Sequence, residues 1–199
     1  GYTQAMRDGL ITDPEAQERT LATIANESAR MSRLIRDLLD LARMQSGQLS
    51  LDRQSTPVQS LLSAAAKRFE IQAEEKNVTI EQASDPATVT VDRDRMARVL
   101  DNLLANAMRH TPHGGTIRLV ARASGDHLEL LIEDSGPGFP ADLLPHLFQR
   151  YTRGEDSAER HGLGLAVARE IVLAHHGTIS AENCAEGGAR IRILLPREA

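Results

Sequence analysis

Residues 95–112 read RMARVLDNLLANAMRHTP, and the rest of the chain can be read outward from them. Met96, Val99, Leu100, Leu103, Leu104 and Ala107 recur at three- and four-residue steps, which predicts a helix with one face in a core. Asn102 and Asn106 interrupt that face. Being four apart, their amides project from one side of the helix on successive turns. A buried amide needs water, a backbone group or an ion as partner, because stranding its polar atoms is costly. On spacing alone, two satisfied amides are the simpler reading; the glycine motifs downstream reverse it.

After this helix, TIRLVARAS and HLELLIED alternate as two strands about a Gly125-Asp126 hairpin signal. An irregular stretch then runs from Ser135 to about Arg160, a helix follows from Leu163 to His175, and TISAEN and ARIRILLP close the chain around Gly187-Gly188. Upstream, LSLDRQ alternates like a strand, Ser55-Thr56-Pro57 reads as a helix start, and a helix is expected from Val58 to about Glu75. Strands are expected near 78–83 (VTIEQA) and 88–92 (TVTVD). This order predicts an α+β fold, a two-layer α/β sandwich with a mixed, mainly antiparallel sheet.

The N-terminal part differs in kind. Asp13-Pro14 opens a helix that is expected to run to about Ser46, stopped by Gly47. Leu21, Ile24, Ser28, Met31, Ile35, Leu38 and Ala42 form a narrow seam along it, widened by Leu34 and Leu41. Residues 1–10, GYTQAMRDGL, read as the end of a preceding helix with Gly9 as its stop. A long helix with so narrow a stripe is expected in a hairpin that pairs with a second copy as a four-helix bundle; packing on the chain's own globular part is the alternative. The expected organisation is a helical hairpin over 1–47 and a globular domain over 48–199.

Composition narrows the function. A formal net charge of −5 argues against a nucleic-acid partner. The single cysteine, Cys184, excludes an internal disulfide framework and a cysteine metal site. No apolar run approaches the roughly 20 residues of a membrane helix.

Two further motifs carry chemistry. Asp134-Ser135-Gly136-Pro137-Gly138 ends a strand and opens a loop. A carboxylate there can accept from an exocyclic amine, and the glycines let backbone approach a flat ring. Gly162-Leu163-Gly164-Leu165 lies just before a helix, whose N-terminus suits phosphate oxygens. Taken singly, the first is a common turn and the second a tight helix entry.

In combination and order, with Phe148-Gln149-Arg150-Tyr151 between them, these motifs resemble the catalytic and ATP-binding domain of sensor histidine kinases, within the wider group that includes gyrase, Hsp90 and MutL. The resemblance covers about residues 48–199 and implies the Bergerat-type sandwich; the preceding helices resemble the family's dimerisation and histidine-phosphotransfer hairpin. It implies ATP and Mg²⁺ as ligands, with Asn106 as the Mg²⁺ ligand and Asn102 as its phosphate-side neighbour. Arg109 falls where a phosphate-facing Lys is common, and His110 where an aromatic lines the pocket. A ligand or acid–base role for His110 is the alternative to packing. Asp134 would read the adenine amino group, with Gly136 and Gly138 shaping that pocket. Phe148, Arg150 and Tyr151 resemble the motif bordering the ATP lid, and His161, Gly162, Leu163, Gly164 and Leu165 the phosphate-side glycine motif. Arg153 could reach phosphates or be simply solvated.

Two departures stand out. Arg160 replaces the first glycine of G-x-G-L-G-L, where its bulk could weaken nucleotide binding or its guanidinium contact phosphate. None of the seven histidines is followed by an acidic residue, so the phosphoacceptor motif H-E-x-x-x-P is not found. The acceptor is expected upstream of Gly1, and no residue here is expected to be a catalytic acceptor. Asn102 also stands where gyrase- and Hsp90-type ATPases carry a Glu that activates water, and an amide cannot take that proton. The resemblance further implies a homodimer through the hairpin and transfer to the receiver domain of a response regulator. It also implies a cytoplasmic position in an inner-membrane sensor whose membrane segments lie outside this chain. A nucleotide-independent scaffold with the same fold and a gyrase-type ATPase are the competing readings.

Overall fold

The computed structural model describes residues 13–45, 50–149 and 163–197. The chain divides into two compact units, Gly1–Ala42 and Arg43–Ala199.

In the first unit, helix α1 (Pro14–Gln45) starts where a capping residue precedes proline. The Ala16 N–H donates to Asp13 Oδ2 at 3.0 Å, satisfying one of the helix's orphan donors. Leu21, Met31, Ile35 and Leu39 are each more than half exposed. An apolar stripe of this kind is a surface waiting for a partner. Gly9, Gly47 and the first helix of the expected hairpin lie outside the described residues. Among the described residues, no helix is long and apolar enough to cross a membrane.

The second unit is built on a five-stranded sheet in the order β2-β4-β5-β7-β6. Its strands are β2 (Thr79–Ser84), β4 (Thr116–Ser124), β5 (His127–Asp134), β6 (Thr178–Asn183) and β7 (Ala189–Pro196). Only β2 and β4 pair in parallel, so the sheet is mixed and mainly antiparallel, as expected. A separate antiparallel ribbon joins β1 (Gln54–Pro57) to β3 (Thr88–Val91). The helices of this unit are α2 (Val58–Arg68), α3 (Glu70–Lys76), α4 (Arg93–His110) and α5 (Gly164–Ala174).

The alternation seen in the sequence separates the two faces of the sheet. Ile117, Leu119 and Ala121 of β4, Leu128, Leu130 and Ile132 of β5, and Ile191, Ile193 and Leu195 of β7 are buried. With Met96, Val99, Leu100, Leu103, Leu104, Ala107 and Met108 of α4 and Val167, Ile171 and Val172 of α5, they form the core. The opposite face carries a row of alternating charge: Glu81, Arg118, Glu133, Arg190 and Glu182 occupy successive strands in one register. Arg118 Nε lies 2.8 Å from Glu81, Arg190 Nε 2.6 Å from Glu133, and Arg190 Nη1 2.9 Å from Glu182.

Two local expectations are corrected. The first strand is Gln54–Pro57 rather than LSLDRQ, so Ser55-Thr56-Pro57 is itself strand, and its last residue is also the cap of the helix that starts, as expected, at Val58. Pairing with TVTV and burial of Thr56 outweigh the local capping signal, and Pro57 sits at the end of the strand, directly before α2. The expected single helix from Val58 is broken at Phe69, whose φ of −106° and ψ of 3° leave the helical region. The break lets Ala73 of α3 and Val78 turn back into the core.

Candidate functional site

Helix α4 is the spine of the site, and both its ends are fixed. At the N-terminus Asp92 Oδ1 accepts from the Arg95 N–H at 3.0 Å. At the other end Lys76 Nζ donates to the carbonyls of Met108 (2.7 Å) and Arg109 (3.0 Å), covering acceptors that the last turn leaves open. One face of α4 is core. Asn102, Asn106 and His110 follow one another at four-residue steps beside it, spanning about 12 Å along the axis.

The first and last of these stations each meet a different neighbour. Asn102 Nδ2 donates to the carbonyl of Gly164, the first residue of α5, at 3.0 Å. A Cβ at Gly164 would lie 3.3 Å from Asn102 Oδ1, so the helix start and the amide are in close contact. Asn106 is half-buried, and among the described residues its amide has no hydrogen-bond partner. The His110 backbone meets the loop after β5: a Cβ at Gly136 would lie 2.7 Å from the His110 carbonyl oxygen. Neighbouring Asp101 is turned away and held by Arg68, with Nη2 2.6 Å from Oδ1.

At that far end, Asp134 terminates β5 with its carboxylate partly withdrawn from water. Burial raises its pKa above the ordinary carboxylate value, opposed by the backbone N–H groups of Gly136 and Ala189 and by nearby His110. The Gly136 N–H donates to Asp134 Oδ1 at 2.9 Å and so fixes the orientation of the carboxylate. Ser135 anchors the turn: its Oγ accepts from the Thr116 N–H at 2.9 Å and its N–H donates to the Thr116 carbonyl at 3.0 Å. Gly138 adopts a left-handed φ of +81°.

The structure thus joins Asn102 to Gly164, and His110 to Gly136 and Asp134, with Asn106 between. Leu163 is buried and Leu165 half-buried at the start of α5. Arg109 is exposed. Phe148 is half-buried after the short 3₁₀ turn Leu144–His146, and the contacts above do not reach it. Arg150, Tyr151, Arg153, Arg160, His161 and Gly162 lie outside the described residues. An open groove of about 1040 Å³ lies at the other end of α4, around Asp52, Asp92, Arg95 and Arg98, and none of the site residues lines it. Sequence reasoning took Gly188 only as part of a turn and passed over Asn183. A Cβ at Gly188 would run into the Asp134 carbonyl, and Asn183 hydrogen-bonds to the loop at Phe139.

Residues 91–199 match the family described as "Histidine kinase-, DNA gyrase B-, and HSP90-like ATPase", and residues 1–47 match the "His Kinase A (phospho-acceptor) domain". Sensor protein SphS of Synechococcus elongatus is 36% identical over 208 residues, covering 98% of this chain and 50% of the relative. The alginate biosynthesis sensor protein KinB of Pseudomonas aeruginosa is 34% identical, covering 96% of the chain and 33% of the relative. The chain thus spans half or less of the length of these curated relatives. Among solved structures, the histidine kinase AdeS of Acinetobacter baumannii superposes with a TM-score of 0.82 at 27% identity, covering 99% of this chain and 92% of that one. With more than half its length matched by the first of these models, the chain belongs to the histidine kinase-, DNA gyrase B- and HSP90-like ATPase family, in its sensor histidine kinase branch.

Proposed function

We propose that the second unit binds ATP along α4, with the base at Asp134 and the phosphates at Gly164. The observation that carries this reading is the bracketing of one helix. Asn102 touches the start of α5 and His110 touches the Asp134 loop, so base-reading and phosphate-binding groups share a rigid frame. Asp134, its carboxylate oriented by the Gly136 N–H, accepts from the adenine amino group. The first-turn N–H groups of α5 and the adjoining glycine motif receive phosphate oxygens. Arg109 faces the phosphates, His110 lines the nucleotide, and Phe148 belongs to the motif that borders the lid.

The half-buried Asn106 amide, without a hydrogen-bond partner among the described residues, offers a hard oxygen donor suited to Mg²⁺. Among the described residues, no group of three or more His, Cys, Asp or Glu side chains could hold a metal. An ion at Asn106 would therefore take its other ligands from phosphate and water, and would neutralise charge on the transferring group.

In the whole protein, the γ-phosphoryl group passes to a histidine and then to an aspartate on a response-regulator receiver domain. Asp101, occupied by Arg68, is a poor candidate for the base that hydrolysis would require. Histidine transfer needs less help, because a neutral imidazole nitrogen is already nucleophilic. Residues 1–47 act as the dimerising hairpin, pairing copies through the exposed Leu21, Met31, Ile35 and Leu39. The unit works on the cytoplasmic side of a membrane-anchored sensor, and this chain alone does not autophosphorylate. Calorimetric titration with a non-hydrolysable ATP analogue, with and without Mg²⁺, tests the site. Binding should be lost in Asp134→Ala, and Mg²⁺ dependence in Asn106→Ala. No binding by the unaltered chain would overturn the reading in favour of a regulatory module, and alkali-stable phosphate on the chain after incubation with ATP would overturn the last clause.

A further inference from the structure

The loop that leaves Asp134 is fastened at its far end by a residue outside the recognised motifs. Asn183 is the last residue of β6 and shares a cross-strand row with Ala189 of β7 and Asp134 of β5. Its side chain grips one residue of the loop at two points. The Phe139 N–H donates to Asn183 Oδ1 at 2.7 Å, and Asn183 Nδ2 donates to the Phe139 carbonyl at 2.8 Å. A single amide so replaces the two bonds a neighbouring strand would give. A carboxylate of the same length lacks the donor.

The intervening residues arch over the start of β7 with no room to spare. A Cβ at Gly138 would lie 2.8 Å from Asn183 Oδ1 and 3.3 Å from the Gly188 carbonyl. The loop is therefore tied at Asp134 on β5 and at Asn183 on β6, and crosses β7 between them. Both hydrogen bonds of the clasp are exposed. Such bonds add little to global stability, yet they set where Gly136 sits against the Asp134 carboxylate.

We infer that Asn183 is a positioning residue for the base end of the nucleotide site, holding residues 135–139 so that Gly136 keeps its N–H on Asp134 Oδ1 and fixes the orientation of that carboxylate. The inference rests on the nucleotide reading above. Its test compares the unaltered chain with Asn183→Ala and Asn183→Asp, titrating each with a non-hydrolysable ATP analogue and with its GTP counterpart, which shares the triphosphate and lacks the 6-amino group. Both variants should bind the ATP analogue about tenfold more weakly, the loss of a hydrogen-bonded arrangement of this size, with the GTP analogue changed by less than about twofold. Hydrogen exchange at the Phe139 amide should be slow in the unaltered chain and fast in Asn183→Ala, which removes its acceptor, whereas Asn183→Asp keeps that acceptor and loses only the donor to the Phe139 carbonyl. Unchanged ATP-analogue affinity, equal loss for both nucleotides, or fast Phe139 exchange in the unaltered chain would overturn the inference and leave the nucleotide reading standing. An unaltered chain that binds neither analogue would remove both. Should Asn183→Ala fail to fold, Asn183→Asp and the exchange rate in the unaltered chain decide the matter.

Discussion

The amide of Asn102 and the carbonyl of Gly164, 62 residues apart in the chain, meet at 3.0 Å and join the middle of α4 to the start of α5. Replacing Asn102 by Asp removes the donor and sets a carboxylate against a carbonyl oxygen. Asn102→Asp should destabilise the unit by about 1–3 kcal/mol, measured by urea unfolding at neutral pH. Asn102→Ser, which can still donate, should cost less.

Asp134 sits at the site at the expense of stability. Its pKa is raised by burial, so ionising it is harder in the folded chain than in the unfolded one. That penalty is absent at low pH and present above the unfolded-state value of about 3.9. Asp134→Asn keeps an oxygen for the Gly136 N–H and removes the charge. At pH 7 its melting temperature should equal or exceed that of the parent, while ATP-analogue affinity falls by more than about tenfold, since an amide can set its own N–H₂ against the adenine amine.

Gly187 and Gly188 are adjacent, and both have φ above +90°. Only Gly188 lacks space, because a Cβ there runs into the Asp134 carbonyl, whereas at Gly187 nothing lies within 4 Å. Gly187→Ala should cost about 1–2 kcal/mol, the left-handed penalty alone. Gly188→Ala should cost more than about 3 kcal/mol and should also lose nucleotide, because β7 cannot shift without moving Asp134. Equal thermal shifts for the two variants would contradict this.

His175 is buried at the C-terminal end of α5, with Nδ1 donating to the Ile171 carbonyl at 2.8 Å and Nε2 accepting from the Asp92 N–H at 3.0 Å. Only the neutral ring can make both bonds. Burial lowers its pKa below the ordinary 6.5, with Arg53 and His176 adding to the effect and the Ile171 carbonyl and Asp92 opposing it. A base with a depressed folded pKa contributes fully above its unfolded value and loses that contribution as pH falls toward the folded one. Stability should therefore begin to decline below about pH 6.5. The gap in melting temperature between the parent and His175→Gln should be largest near pH 7.5 and narrow toward pH 5.

The row of charge on the open face of the sheet is unequal along its length. Arg190 serves two carboxylates, Glu133 and Glu182, and its Glu133 partner is mostly covered, whereas the side chains of Arg118 and Glu81 are each more than half exposed. Arg190→Ala should cost about 1–2 kcal/mol and Arg118→Ala should be close to neutral. Added salt should reduce the second effect more than the first.

Strands β4, β5, β6 and β7 were legible to the residue because half-buried antiparallel strands alternate and are bounded by Gly-rich turns. The inward face of α4 was equally plain, since its apolar spacing is helical throughout. Strand β1 was misplaced because a four-residue ribbon partner has too few positions to display a period, and its pairing with β3 is a tertiary fact. The break at Phe69 was hidden because apolar residues continue at helical spacing across it. At the site, Asn102, Asn106 and Asp134 stood out as residue types that a core or a plain turn does not need. Asn183 and Gly188 did not, because their roles depend on a loop passing over a strand that lies far along the chain. Only contact distance reveals that.

Because a single unbroken helix carries Asn102, Asn106 and His110, evolution can alter its side chains but not its length between them. Deleting or inserting one residue there would swing everything beyond it by about 100° and turn one end of the site away from the other. Residues 140–149, beyond the Asn183 clasp, carry no such restriction, since an exposed loop absorbs added length at small entropic cost. Lineages of this chain should therefore diversify by insertion between Pro140 and Gln149, while the eight-residue interval on α4 stays fixed.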